Sequence, residues 1–336
     1  MKGGLLMLKF DVGESLESVN GALALRDNIN NIVDELCKDY KNICWMGIGG
    51  TWASAMQAYV HMKEYSGLEI MVENASEYLT TGNKRIGEGT IVVISSVSGT
   101  TKEMVEAVYK VHEKGAKVLG FIDNPDSILA DLADYVVSYK ANEQLKFFMV
   151  ADRIMHNEKE IDWYDRLYKE LDEHLAQVLV DVEISADEFG KEFALKHHKD
   201  AIHYFVGAGN MWGATYSYAM CYWEEQHWLK TKSIMAGEFF HGMFEIIEED
   251  TPVTLYIGED RQRDLCLRVK EFLPKVCKNY TVIDIKDYEL KGISEEFRGM
   301  ISHLVMRVIN HRIDVHIEEL NDHDMEIRRY YRKLDY

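Results

Sequence analysis

Short apolar runs, too brief to be helices, alternate with longer segments of helical period through most of the chain, and this alternation constrains the fold more than any other feature. Residues 42–47, 68–72, 90–95, 116–122 and 134–139 read as strands, with helices filling the gaps. After Thr100, Met104, Ala107, Val108 and Val111 fall at i, i+3, i+4 and i+7 and so share one helix face. Strands separated by such helices predict a parallel sheet covered on both sides.

The rhythm stops between about Glu160 and Lys199, where Leu167, Leu171, Leu175, Val178 and Val182 keep a helical spacing on a charged background. It resumes with 201–206, 252–258 and 280–285 as strands and an amphipathic helix over 294–312, with Phe297, Ile301, Leu304, Val305 and Val308 on one face. The reading is therefore an N-terminal α/β domain (1–158), a helical connector (159–199), a second α/β domain (200–325) and a short tail (326–336). At 336 residues the chain is long enough for each domain to bury its own core. An echo links the halves: WMGIGGTWASA (45–55) and YFVGAGNMWGATY (204–216) each run from an apolar strand through glycines into a helix.

Composition removes several classes. A net charge of −19 opposes a nucleic acid partner, and no basic, aromatic-interleaved run offsets it locally. The five cysteines are scattered, without a C-x-x-C pair, which fits a reducing, cytoplasmic setting and gives no thiolate metal site. The opening MKGGLLMLKF is broken by Lys9 and Asp11 too soon for a secretory signal, and no segment reaches membrane-spanning length.

The segment TIVVISSVSGTTKEMVEAV (90–108) places Ser95, Ser96, Ser98, Gly99, Thr100 and Thr101 between a strand and a helix. A helix N-terminus attracts an anion through its unpaired N–H groups and dipole, and hydroxyls add donors without charge, so a phosphate monoester suits this turn. The same Ser98 or Thr100 also reads as a simple helix cap. A dinucleotide site at Gly47, Gly49 and Gly50, with Glu73 as the ribose acid, is the competing reading; Trp52 stands where the third glycine belongs.

In the second half, EEQHWLKTKSIMAGEFFHG (224–242) starts in the helix after the glycine turn and ends in a helix carrying His241. Carbonyl chemistry on a sugar uses a carboxylate and an imidazole as its acid/base pair, whereas isolated Glu224, Glu225 or Glu238 also reads as solvated helix and His241 as structural. No H-E-x-x-H or comparable His/carboxylate cluster is visible, so no metal is expected.

S-x-S-G-x-T on a strand-to-helix turn, with a Glu sixteen residues before the His of A-G-E-x-x-H-G, resembles the sugar isomerase (SIS) domain family. The similarity extends from about Asn42 to Lys333, and is greatest to the isomerase half of glucosamine-6-phosphate synthase and to the fructosamine-6-phosphate deglycases. The resemblance implies two tandem SIS domains, each a three-layer αβα sandwich with a mainly parallel five-stranded, flavodoxin-like sheet. It implies that Ser96, Ser98 and Thr101 hold phosphate, that Gly50 and Thr51 line the sugar, and that Glu225 and His241 carry proton transfers. Lys333 falls roughly where the synthase lysine handles the open sugar, although its surroundings differ. The SYKANE segment (138–143) departs from the family's Ser-Thr-Lys loop.

The glutamine-hydrolysing domain of the synthase has no counterpart here, so the resemblance points to deglycation of a 6-phosphorylated sugar–amino acid adduct such as fructoselysine or glucoselysine 6-phosphate. No cofactor is implied, and a homodimer is, with His241 supplied by a neighbour. Another phosphosugar isomerase, an amino-sugar-phosphate deaminase and a non-catalytic phosphosugar sensor are the alternatives.

Overall fold

A computed structural model of the chain describes residues 7–335; Met1–Leu6, part of the stretch read for a leader, and Tyr336 lie outside the described residues. The chain divides into two compact units, an N-terminal unit of residues 17–175 and a C-terminal unit that holds 176 onward with the residues before Glu17.

After α1 (Val12–Leu23) and α2 (Arg26–Leu36), the N-terminal unit runs β1 (Asn42–Gly47), α3 (Gly50–Tyr65), β2 (Ile70–Asn74), α4 (Ala75–Thr81), β3 (Thr90–Ser96), α5 (Lys102–Glu113), β4 (Lys117–Ile122), α6 (Ile128–Leu132), β5 (Tyr135–Val137), α7 (Glu143–Asn157) and α8 (Tyr164–Glu170). Its five strands are parallel in the order β2-β1-β3-β4-β5. Period-two alternation sorts the strand residues between two helical layers. Cys44, Met46, Val92, Ile94 and Val118 pack with Tyr78 of α4, Met104, Ala107, Val108 and Val111 of α5 and Leu129 of α6. Trp45 and Phe121 face the other way onto Phe147 of α7, at 5.1 and 5.7 Å between ring centres.

A π-helical turn (Leu171–Leu175) follows α8, and the C-terminal unit then runs α9 (Ala176–Ser185), α10 (Asp187–His197), β6 (His203–Gly207), α11 (Asn210–Ser217), a π-helical continuation (Tyr218–Glu224), β7 (Thr231–Met235), β8 (Val253–Ile257), α12 (Arg263–Phe272), β9 (Tyr280–Asp284) and α13 (Glu295–Asn321). Leu167, Leu171, Leu175, Val178 and Val182 are all buried, as their spacing predicts. Strands are again parallel, in the order β7-β6-β8-β9.

Three expectations change. The second sheet has four strands among the described residues, not five: it repeats the order of the first and lacks the outer strand. Strand β7 lies between the two helical ends read for 224–242 and is not among the strands expected, because TKSIM is an edge strand without a buried residue. Helix α13 is buried nearly all round from Phe297 to Ile317 rather than on one face. Its fully buried Arg312 is neutralised by Asp187 (2.6 Å) and donates to the Leu8 carbonyl (2.9 Å), the satisfaction that a buried charge requires.

Candidate active site

In the N-terminal unit, β1 and β3 are neighbours, yet the helices that follow them, α3 and α5, leave on opposite faces. The carboxyl ends of these strands are therefore the topological switch point, the usual ligand position in a doubly wound sheet. The β1–α3 turn depends on Gly49, whose φ of 60° and ψ of −129° suit glycine alone, and a side-chain carbon added there would meet nothing within 4 Å. Thr51 Oγ1 accepts from Ile48 N–H (3.1 Å) and donates to Ile48 carbonyl (3.0 Å), so this hydroxyl locks the turn. Gly50, the first residue of α3, lies beside the open space.

The β3–α5 turn follows the same logic. Gly99 sits at φ +66°, and any Cβ there would overlap the Ser127 hydroxyl. Ser96 Oγ accepts from Gly99 N–H (2.9 Å) and Ser98 Oγ from Thr100 N–H (3.3 Å), which shapes the loop. Thr101 occupies the N-cap of α5, yet its side chain makes no capping bond. The loop before it is open to solvent, with Val97 71% exposed. A helix N-terminus without a side-chain cap in a hydroxyl-rich turn is a type of place that favours an anion.

Behind it lies a cluster that the sequence reading left unassigned. Ser95 Oγ donates to Glu143, the first residue of α7. Lys146, 1% exposed, donates to the Tyr139 carbonyl (2.5 Å) and lies 3.8 Å from Asp123. Burial pushes the Glu143 carboxyl up, against hydrogen bonds from Ser54 and Ser95 and the charge of Lys146. Burial likewise raises Asp123 and lowers Lys146. The abrupt start of α7 is marked by the left-handed Ala141 (φ 62°) and Asn142 (φ 53°) inside SYKANE, and a residue list does not display φ.

The remaining site residues belong to the C-terminal unit. Glu225 follows the π-helical segment, is exposed, and accepts from Arg328 Nε (2.8 Å). Its neighbour Glu224 is committed to the Thr231 hydroxyl (2.6 Å), which pins β7. His241 ends a 3-10 helix (Ala236–His241) rather than an α-helix; it is exposed, and among the described residues no hydrogen bond or ion pair reaches its ring. Lys333 is exposed in a turn closed onto the Tyr330 carbonyl and does not line the cavity that contains Glu225. Ser96, Ser98, Thr101, Gly50 and Thr51 are thus grouped on one unit, and Glu225, His241 and Lys333 on the other.

One His/carboxylate cluster exists that no motif announced. His197, Asp200 and His203 bring ligand atoms within 4.8 Å of one another at the start of β6, the opposite end of the sheet from the glycine turn. Both Nδ1 atoms bond to Asp200 Oδ2, at 2.7 and 2.8 Å, and His203 Nε2 bonds to Thr254 Oγ1 (2.8 Å), so hydrogen bonds account for the convergence.

Residues 37–152 match the SIS domain family. The chain is 30% identical to fructosamine deglycase FrlB of Bacillus subtilis (strain 168), over 92% of this chain and 98% of that protein. It is 24% identical to the fructoselysine 6-phosphate deglycase of Escherichia coli (strain K12), over 91% and 90%. Among solved structures, a candidate phosphosugar isomerase from Bacillus subtilis superposes with a TM-score of 0.86 at 26% identity, covering 96% of this chain and all of that one. The C-terminal domain of glucosamine-fructose-6-phosphate aminotransferase from Francisella tularensis gives 0.78 at 17% identity, covering 94% and 95%, and shares the fold.

Proposed function

The chain belongs to the SIS domain family, and from that premise we propose that it is a fructosamine-6-phosphate deglycase, releasing a hexose 6-phosphate and a free amine from a phosphorylated sugar–amine adduct. The observation that carries the reading is the uncapped N-terminus of α5, where Thr101 makes no capping bond in an exposed turn of hydroxyls. Such a turn takes a phosphate dianion with neutral donors, and each hydrogen bond to the charged group contributes about 1.5–3 kcal/mol. Near identity in length to a fructosamine deglycase supports the same reading.

With phosphate held by Ser96, Ser98 and Thr101 and the sugar lying along Gly50 and Thr51, the chemistry falls to Glu225 and His241. One of them removes a proton from C1 of the ketosamine as O2 takes up a proton, giving an enaminol. Reprotonation at C2 with loss of the N–H proton gives an aldose imine whose C2 keeps its hydroxyl. Water then adds at C1, the C–N bond breaks, and the amine leaves with a proton. Carboxylate and imidazole are the usual acid/base pair for such a relay. We place the reaction in a homodimer, His241 coming from the neighbouring subunit; the exposure of His241 and its lack of a bonded partner among the described residues support this.

Incubating the protein with 6-phosphorylated fructosamines and glucosamines, and following hexose 6-phosphates and released amine, tests the proposal. Glucose 6-phosphate appearing in step with free amine is the expected result. Sugar isomerisation without amine release would contradict it.

A further inference from the structure

Beside Glu225 lies a cavity of about 500 Å³, lined chiefly by Trp228, Arg328, Arg329, Tyr330 and Tyr331 together with that carboxylate. The chain has 57 acidic residues against 38 Lys and Arg, so an arginine here has many acids to choose from. Arg26, Arg153, Arg263, Arg298 and Arg312 each pair with one. Arg328 is held by Glu225 through Nε and by the Met325 carbonyl. Arg329 differs: its guanidinium lies 4.3 Å over the Trp228 ring and 6.0 Å from that of Tyr330, and no carboxylate among the described residues pairs with it.

Trp228 is itself held in an uncommon state. Its φ is +59°, a left-handed conformation that a bulky side chain rarely adopts and that persists where its surroundings enforce it. The His323 ring packs on it with centroids 4.1 Å apart, and His323 Nε2 donates to the Gln226 carbonyl (2.9 Å), so the start of the tail clamps the indole in place. The result is an exposed guanidinium over a fixed aromatic platform, in the same cavity as the carboxylate assigned to proton transfer. A stacked guanidinium of this kind recognises a planar anion through two parallel N–H bonds, and the aromatic walls accept a methylene chain.

We propose that this cavity binds the amine half of the substrate, that the amine bears a carboxylate, and that Arg329 receives it. Arg329 is then a specificity residue, the group that tells an amino acid adduct from that of a simple amine. This rests on the deglycase reading and on Glu225 lying at the C1–N bond, since only a group next to that bond can see the leaving amine. A carboxylate is favoured over a second phosphate because the phosphate already has its own turn in the N-terminal unit.

The full-length protein can be assayed for kcat/KM on two 6-phosphorylated fructosamines differing only in a carboxylate, the ε-lysine adduct and the 1,5-diaminopentane adduct. The wild type should prefer the lysine adduct by about tenfold or more, the scale of one charge-assisted pair. Arg329→Gln should bring that ratio towards one through KM, and Arg329→Lys should restore part of it. Equal efficiency on both adducts, or a preference that survives Arg329→Gln, overturns this inference and leaves the deglycase reading standing. No cleavage of either adduct overturns both. Competition by inorganic phosphate that Arg329→Gln relieves would assign Arg329 to the phosphate and also overturn it.

Discussion

The turn after β1 and the turn after β6 share a backbone but not an occupant. Gly49 and Gly209 precede α3 and α11 with φ, ψ of 60°, −129° and 57°, −135°. Above Gly49 there is open space, whereas a side-chain carbon at Gly209 would overlap the carboxylate of Asp260. Asp260, in the loop after β8, accepts from Asn210 N–H (3.0 Å), and Gln262 beside it accepts from Gly209 N–H (3.2 Å). That loop is fastened to α13: Glu259 pairs with Arg298 (2.7 Å), Glu259 N–H donates to Ser302 Oγ (3.1 Å), and Gly299 packs against the loop backbone. The equivalent loop after β3 carries hydroxyls, no acid, and an exposed Val97. The same backbone turn is thus closed by a carboxylate at Gly209 and left open at Gly49.

Converting one turn into the other is the strongest way to break this comparison. Ser98→Asp keeps an acceptor for Thr100 N–H and puts a fixed charge where phosphate would sit, so hexose 6-phosphate affinity should fall on the order of a hundredfold or more by calorimetry. Unchanged affinity would remove phosphate from this turn.

Acid should strike the two units unequally. His203 starts β6, where the aligned position of β1 holds Ile43, and burial depresses its pKa to about 4 despite the bond to Asp200. A histidine depressed below its unfolded value near 6.5 contributes its full stability above that pH and loses it as pH falls towards 4, a change of about 3 kcal/mol at most. Hydrogen exchange at pH 5 against pH 7 should therefore loosen the C-terminal unit more than the N-terminal unit; equal loosening would contradict the assignment.

Asp260→Ser should cost about 1–3 kcal/mol of stability by removing the acceptor of Asn210 N–H, and should leave hexose phosphate affinity at the β3–α5 turn unchanged. Urea melts and titration of the same variant check both halves. The smallest effect expected is for Thr101→Val, a loss of about tenfold in phosphosugar affinity with little change in stability, because the hydroxyl caps nothing in the free protein. A marked fall in melting temperature would mean that the hydroxyl serves the helix instead.

Much of this was legible in the sequence, for reasons that differ by element. Strands β1, β3, β4 and β8 are buried on both faces and read as continuous apolar runs, and the echo of the glycine turns is visible because only glycine adopts the backbone at 49 and 209. Edge strand β7 has no buried residue, so its sequence passes for helix or loop. The plug at Asp260, the clamp of Arg328 on Glu225 and the bond from Ser95 to Glu143 join residues 50, 103 and 48 positions apart. Each of these side chains looks like ordinary solvated polarity until the fold brings its partner near.

The most direct test is a crystal of the protein soaked with a hexose 6-phosphate. The account predicts a single phosphate per chain, on the N-terminus of α5 within hydrogen-bond reach of Ser98 and Thr101, with Asp260 still seated on α11. Phosphate at Asn210 with Asp260 displaced, or an empty turn at Thr101, would contradict it.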